Sequence, residues 1–280
     1  MAPLLRPLTL GELLDRAFQL YRSRFALFVG IAALAYLPLF LVQTATLWIP
    51  KILSAPAIMA ASIGFLISLV LQMLAVAAAS SATIIVVSAA YLERPITLRE
   101  AYGRVSGMLL RVFFIMIGSG IGIAIGLVLL IVPGIILFLM WALAIPVAVL
   151  EDAGLGESLS RSRELTREHR GRVFLIYLLY FVLVFALQMG LMLPVAAAIA
   201  IITKSNPAGL AAGASAGTAL LNVGSAVVSY AIEILVTPIL TISLSLMYYD
   251  ERVRKEAFDI QLMMSAIDGA TAPPAAAGAL

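Results

Sequence analysis

Six long apolar runs govern what this chain can become. A helix needs about twenty apolar residues to cross the roughly 30 Å hydrocarbon layer of a bilayer. Runs of that kind lie at Phe25–Trp48, Ile58–Tyr91, Leu109–Ile131, Ile135–Leu150, Val173–Ile202 and Thr218–Tyr249. Backbone inside hydrocarbon must satisfy its own hydrogen bonds, which helices do within one segment. The expectation is an all-α integral membrane protein with six transmembrane helices. A charged fraction of 12% agrees, since about a quarter of the residues of a soluble domain carry charge.

The fourth run is the shortest, and only Pro133-Gly134 breaks the apolar sequence before it. This pair suits the centre of a type II turn that folds span four back on span three. Pro38 interrupts the first run, and Pro194 is expected to kink the fifth. No small-residue cleavage site follows the polar N-terminal stretch, so the first span is expected to act as its own insertion signal. One membrane domain over residues 1–268 accounts for the organisation, with an Ala/Pro-rich tail at 269–280 expected to be disordered.

A short word, Leu-x-Glu-x-x-x-Arg, precedes the first, third and fifth runs: Leu10 to Arg16, Leu98 to Arg104 and Leu155 to Arg161. Thr9 and Thr97 stand three residues before Glu12 and Glu100, the spacing of a capping box at a helix start. Gly154 takes the corresponding place before Glu157. Glu and Arg four apart share a helix face, with the acid nearer the positive end of the helix dipole. Apolar residues recur at Leu10, Leu13, Leu14, Ala17, Phe18 and Tyr21, and again at Leu98, Ala101, Tyr102, Val105 and Leu109, as in amphipathic helices. Three helices near the membrane surface, each leading into a pair of spans, are expected, with a possible threefold internal repeat.

Charge sets the orientation. With a cytoplasmic N-terminus, all Lys and Arg except Lys51 and Lys204 fall on the cytoplasmic side, sixteen of eighteen. That asymmetry is expected to place both termini in the cytoplasm.

The stretch Leu8 to Asp15 before Tyr21-Arg22, then Val132-Pro133-Gly134 with Trp141 and Pro146, then Ser158 to Thr166, and finally Tyr248-Tyr249-Asp250-x-Arg252-x-Arg254-Lys255 occur in a telling order. Together they resemble the bacterial membrane-domain family of glycerophosphoryl diester phosphodiesterases. In some members that region is joined to a soluble phosphodiesterase barrel; no barrel is read in these residues, so the resemblance is to a stand-alone member. It implies a membrane fold and a lipid- or envelope-related setting. It carries over no catalytic residue.

Candidate sites follow from polar groups in unusual places. Span six carries a stripe of Thr218, Asn222, Ser225, Ser229, Glu233, Thr237, Thr241, Ser245 and Tyr248. Small hydroxyl residues commonly pack helix against helix. Glu233 differs, because an intramembrane carboxylate is costly unless paired, protonated or wetted. It is either a functional group or a protonated side chain bonded to Gln188, Asn222 or Tyr230, and the sequence leaves both readings open. Gln43 and Gln72 are further isolated amides. Gly118, Gly122 and Gly126 repeat every fourth residue and are read as a packing stripe.

On the cytoplasmic side Arg161, Arg163, Arg167, Arg170 and Arg172 outnumber the acids between them and suit anionic lipid headgroups. His169 has no ligand set around it, and the chain has no cysteine, so no metal or cofactor is expected. No Gly-x-Ser-x-Gly, phosphate loop or nucleic-acid module is present. The leading expectation is a non-enzymatic scaffold or regulator contacting the bilayer and anionic headgroups, with a membrane protein as a candidate partner and no nucleic acid. The alternative is a small transporter or channel built on Glu233, Asn222, Ser229, Thr237 and Gln188.

Overall fold

A computed structural model describes residues 8–46, 55–204 and 216–256. Trp48, Lys51 and the expected tail at 269–280 lie outside these residues. The described chain folds into α1 (Leu10–Ser23), α2 (Phe25–Thr46), α3 (Ala55–Tyr91), α4 (Leu98–Val105), α5 (Leu109–Leu129), α6 (Ile131–Met140), α7 (Ala144–Leu150), α8 (Leu155–Thr166), α9 (Arg170–Lys204) and α10 (Ala216–Glu256). Six segments are long and apolar enough to cross a membrane, the fourth made of α6 and α7 together. The chain is thus a six-span helical membrane protein.

All three words begin helices, at Leu10, Leu98 and Leu155. The capping boxes at Thr9–Glu12 and Thr97–Glu100 are both formed, each side chain bonding the other residue's backbone amide. Those bonds from the Thr97 amide and hydroxyl hold the Glu100 carboxyl below its ordinary range. The three helices also turn the same face inward. The residue after each Glu (Leu13, Ala101, Ser158) is fully buried, and the residue four further on (Ala17, Val105, Ser162) is 2% exposed or less. In α1 and α4 that face is apolar; in α8 it is hydroxylic.

α10 is the central post, packing against α1, α2, α3, α7, α8 and α9. Pro38, Pro194 and Pro238 all lie within helices. The charged residues Asp250 to Glu256, beyond the apolar run that ends at Tyr249, continue α10 without a break. Toward this end the interior is dense: Leu13, Phe28, Ile84, Ile115, Leu143, Ile242 and Tyr248 are at most 1% exposed. Large apolar side chains such as Phe65, Leu66, Val128, Phe181 and Ile201 are instead exposed, presenting the surface that lipid covers.

The turn between spans three and four differs from the expected one. Leu130 alone is extended, with φ −159° and ψ 137°, and α6 has already begun when the chain reaches Pro133 and Gly134. Proline is tolerated there because first-turn amides have no intrahelical acceptor. Gly134 serves the hairpin by close approach rather than by turn geometry. A Cβ on it would lie 2.6 Å from the backbone nitrogen of Leu127, and one on Gly126 would lie 3.0 Å from the Cα of Gly134. The rest of the glycine stripe packs likewise, Gly118 against Leu155 and Gly122 against the Trp141 ring.

Candidate membrane chamber and the arginine-rich end

A cavity of about 450 Å³ opens between α3, α9 and α10, with Tyr36 of α2 and the α6–α7 junction completing its wall. That volume is in the range of about 300–1,000 Å³ common for small-molecule sites. The wall is built from residues three or four apart, so each helix contributes one face: Gln72, Val76, Ser80 and Ile84 from α3, and Tyr177, Tyr180, Val184 and Gln188 from α9. From α10 come Ser229, Glu233, Thr237 and Thr241, the centre of the polar stripe. At 1.5 Å per residue the α10 lining, from Ser229 to Leu244, runs roughly 22 Å along the helix.

Glu233 is half-buried and faces this cavity. Its Oε1 accepts from the side-chain amide of Gln72 at 3.4 Å. The partners suggested by spacing take other roles. Gln188 lines the same chamber, while the Tyr230 hydroxyl donates to the Ala33 carbonyl on another face. The side chain of Asn222 is outside the described residues. Tyr36 and Tyr180 both reach Thr237 and lie near Glu233. Neither tyrosine nor Gln72 stood out in the sequence as part of one site, because their helices are far apart along the chain. Gln43 is exposed on α2 and lines no part of the chamber.

The floor is a broken helix. Between α6 and α7, residues Trp141 to Leu143 leave the helical ladder, and Ala142 borders the cavity. Backbone freed at such a depth must find other partners. Ser162 of α8 supplies them, donating to the Met140 carbonyl at 2.7 Å and accepting from the Leu143 amide at 3.1 Å. The Thr166 hydroxyl reaches the same carbonyl at 3.2 Å. This explains the hydroxylic inner face of α8.

The arginines of α8 and the start of α9 divide into two groups. Arg172 is drawn into a buried ion cluster, donating to Asp250 at 2.6 Å, to Glu251 at 3.4 Å and to the Leu8 carbonyl at 2.9 Å. Arg254 donates to Asp250 and the Leu8 carbonyl as well, and the Leu8 amide donates to Asp250. Glu251, fully buried, lies 3.0 Å from the His169 ring, so this histidine has a structural partner. Arg161 pairs with Glu151 and Glu164. The Nε of Arg170 is buried without a partner. Arg163 and Arg167 are exposed. Nearby, Arg111 pairs with Asp152, holding that carboxyl below its ordinary range first by hydrogen bonding and then by charge.

Fold and chamber together define a polytopic helical protein with a partly polar cavity among its spans. A family profile described as the membrane domain of glycerophosphoryl diester phosphodiesterase matches residues 112–266, and the chain belongs to that family. No other domain was found in it. Searches of curated proteins and of solved structures found no match.

Proposed function

We propose that this protein is a non-enzymatic component of the bacterial inner membrane that holds a small ligand in the Glu233 chamber, as a transporter or ligand-binding membrane module does. The observation that carries this reading is the position of Glu233, whose carboxylate faces a cavity together with Gln72 and Gln188 rather than dry helix packing. Broken helices bordering a midmembrane cavity are a recurrent design for ligand sites. The family match covers a membrane domain rather than a catalytic barrel, which fits a non-catalytic role.

A scaffold or regulator acting in a lipid- or envelope-related process is the second reading. It is favoured by the outward-facing Arg163 and Arg167, which suit anionic headgroups or an acidic membrane partner. Both readings take the termini as cytoplasmic, on the charge asymmetry.

The chain has no native cysteine, which makes the chamber reading directly testable. In the full chain reconstituted in lipid nanodiscs, Ser229→Cys should react with the neutral reagent methyl methanethiosulfonate, and Phe181→Cys, on the lipid-facing surface, should not. An inert Ser229→Cys would mean that the cavity is closed to solutes, and the scaffold reading would then stand alone.

A further inference from the structure

The chamber has a sign and a polarity. Among its described lining residues Glu233 is the one carboxyl group, with no Lys, Arg or His facing it. Gln72 can donate a hydrogen bond to that carboxylate but cannot neutralise it. The titratable groups around it are phenols: Tyr36 from α2 and Tyr177 and Tyr180 from α9, while α3 and α7 contribute none. Tyrosine faces attract cations through the ring quadrupole. Farther along, Ile84, Ile145 and Leu244 line the end nearer the cytoplasm, roughly 16 Å from Glu233 along α10.

Resting on the chamber reading above, the geometry points to an ammonium-headed organic cation with a short apolar tail as the ligand, exchanged against a proton on Glu233. The head sits against the Glu233 carboxylate and the tyrosine rings, and the tail follows the apolar wall toward the α6–α7 break. In this exchange the proton occupies Glu233 while the chamber is empty, where an ionised intramembrane carboxylate without a counter-charge would be costly. Cation entry releases that proton to water, and a proton returns when the cation leaves; each exchange moves one charge against one. Anions are refused because no positive group among the described lining residues meets them.

The test uses Ser229→Cys in the full chain with three methanethiosulfonate reagents: trimethylammonioethyl and sulfonatoethyl, which are similar in size and opposite in charge, and the smaller neutral methyl. Rates are normalised to the neutral methyl reagent, which cancels changes in thiol reactivity. The cationic reagent should outpace the anionic one by about tenfold or more, the scale expected of one nearby charge in a partly desolvated site. Octyltrimethylammonium should protect the thiol and octyl sulfate should not. Binding of octyltrimethylammonium to the wild-type chain should release about one proton per cation into a weakly buffered dye solution, as the exchange requires. Adding Glu233→Gln should erase both selectivity and proton release, and Glu233→Asp should retain them.

Equal cationic and anionic rates in the Glu233 background would overturn the cation assignment while a reacting neutral reagent leaves the chamber reading intact. Failure of all three reagents would remove the chamber reading and this inference with it. The wild-type comparison needs no Glu233 variant, so a misfolded Glu233→Gln protein does not obscure the result.

Discussion

The Ser162 hydroxyl caps the Met140 carbonyl across 2.7 Å, closing a break in the fourth span with a side chain from the helix after it. Removing that hydroxyl strands the amide of the fully buried Leu143 and leaves the Met140 carbonyl to Thr166 alone. Ser162→Ala should therefore cost about 1–3 kcal/mol. Ser160→Ala, on the exposed face of α8, should cost less than about 0.5 kcal/mol. Thermal or denaturant unfolding in detergent compares the two, and equal stability would show that water or Thr166 suffices at the break.

Glycines in the α5–α6 hairpin should separate sharply by position. At Gly134 a methyl group meets Leu127 backbone, which cannot step aside, so Gly134→Ala should destabilise by about 1–3 kcal/mol or more. At Gly120, in the middle of α5, nothing lies within 4 Å. Gly120→Ala should be neutral or stabilise by up to about 1 kcal/mol through helix propensity. A Gly134→Ala protein as stable as wild type would refute the close-approach account of the hairpin.

Arg172 should behave as a structural cation rather than a membrane contact. Asp250 and Glu251 have side chains at most 1% exposed, and Arg172 faces both. Arg172→Ala leaves Arg254 and His169 to hold two buried acids, and a loss of about 3–5 kcal/mol is expected from a broken buried pair. Because Arg172 and Arg254 both clamp the Leu8 carbonyl, protease sensitivity of the N-terminal segment should rise with it. Unchanged stability and protease resistance would place the clamp with Arg254 alone.

Arg163 and Arg167 offer the complementary case. Replacing both with Gln should leave unfolding nearly unchanged, since both are exposed on or beside α8. Binding of the purified chain to phosphatidylglycerol-rich nanodisc rims or vesicles should weaken by about 1 kcal/mol per charge, less at high salt. Arg172→Gln should lack this salt-sensitive signature. Unaltered lipid affinity in the double variant would leave these charges a role in orientation only.

Orientation itself is open to a direct check. Reporter fusions after Trp48, Pro133 and Lys204 should signal the external side, and fusions after Arg94, Arg163 and Lys255 the cytoplasm. Reversed signals at two of these sites would contradict the charge-based topology.

Much of the fold is written locally. Apolar length decides that six segments cross a membrane, because hydrocarbon admits no other solution for runs of that size. Thr9–Glu12 and Thr97–Glu100 specify helix starts within four residues, and both capping boxes form. Glu233 was conspicuous in the sequence because its chemistry is foreign to its surroundings, and its own residue type carries that information. Its surroundings were not legible. Gln72 lies 161 positions away from it along the chain, and only the packing of α3 beside α10 brings the two together. The same holds at the other end of α10, where a run of five arginines looked uniform although burial beside Asp250 and Glu251 turns Arg172 inward and leaves Arg163 and Arg167 in solvent. Pro133-Gly134 suggested a turn by local preference; the hairpin instead bends at Leu130, and close backbone packing is what Gly134 provides. Local chemistry thus determined which segments are helical and which side chains are out of place in a bilayer, while pairing, cavity and ion cluster arose only where distant helices meet, since those depend on distances that no stretch of sequence contains.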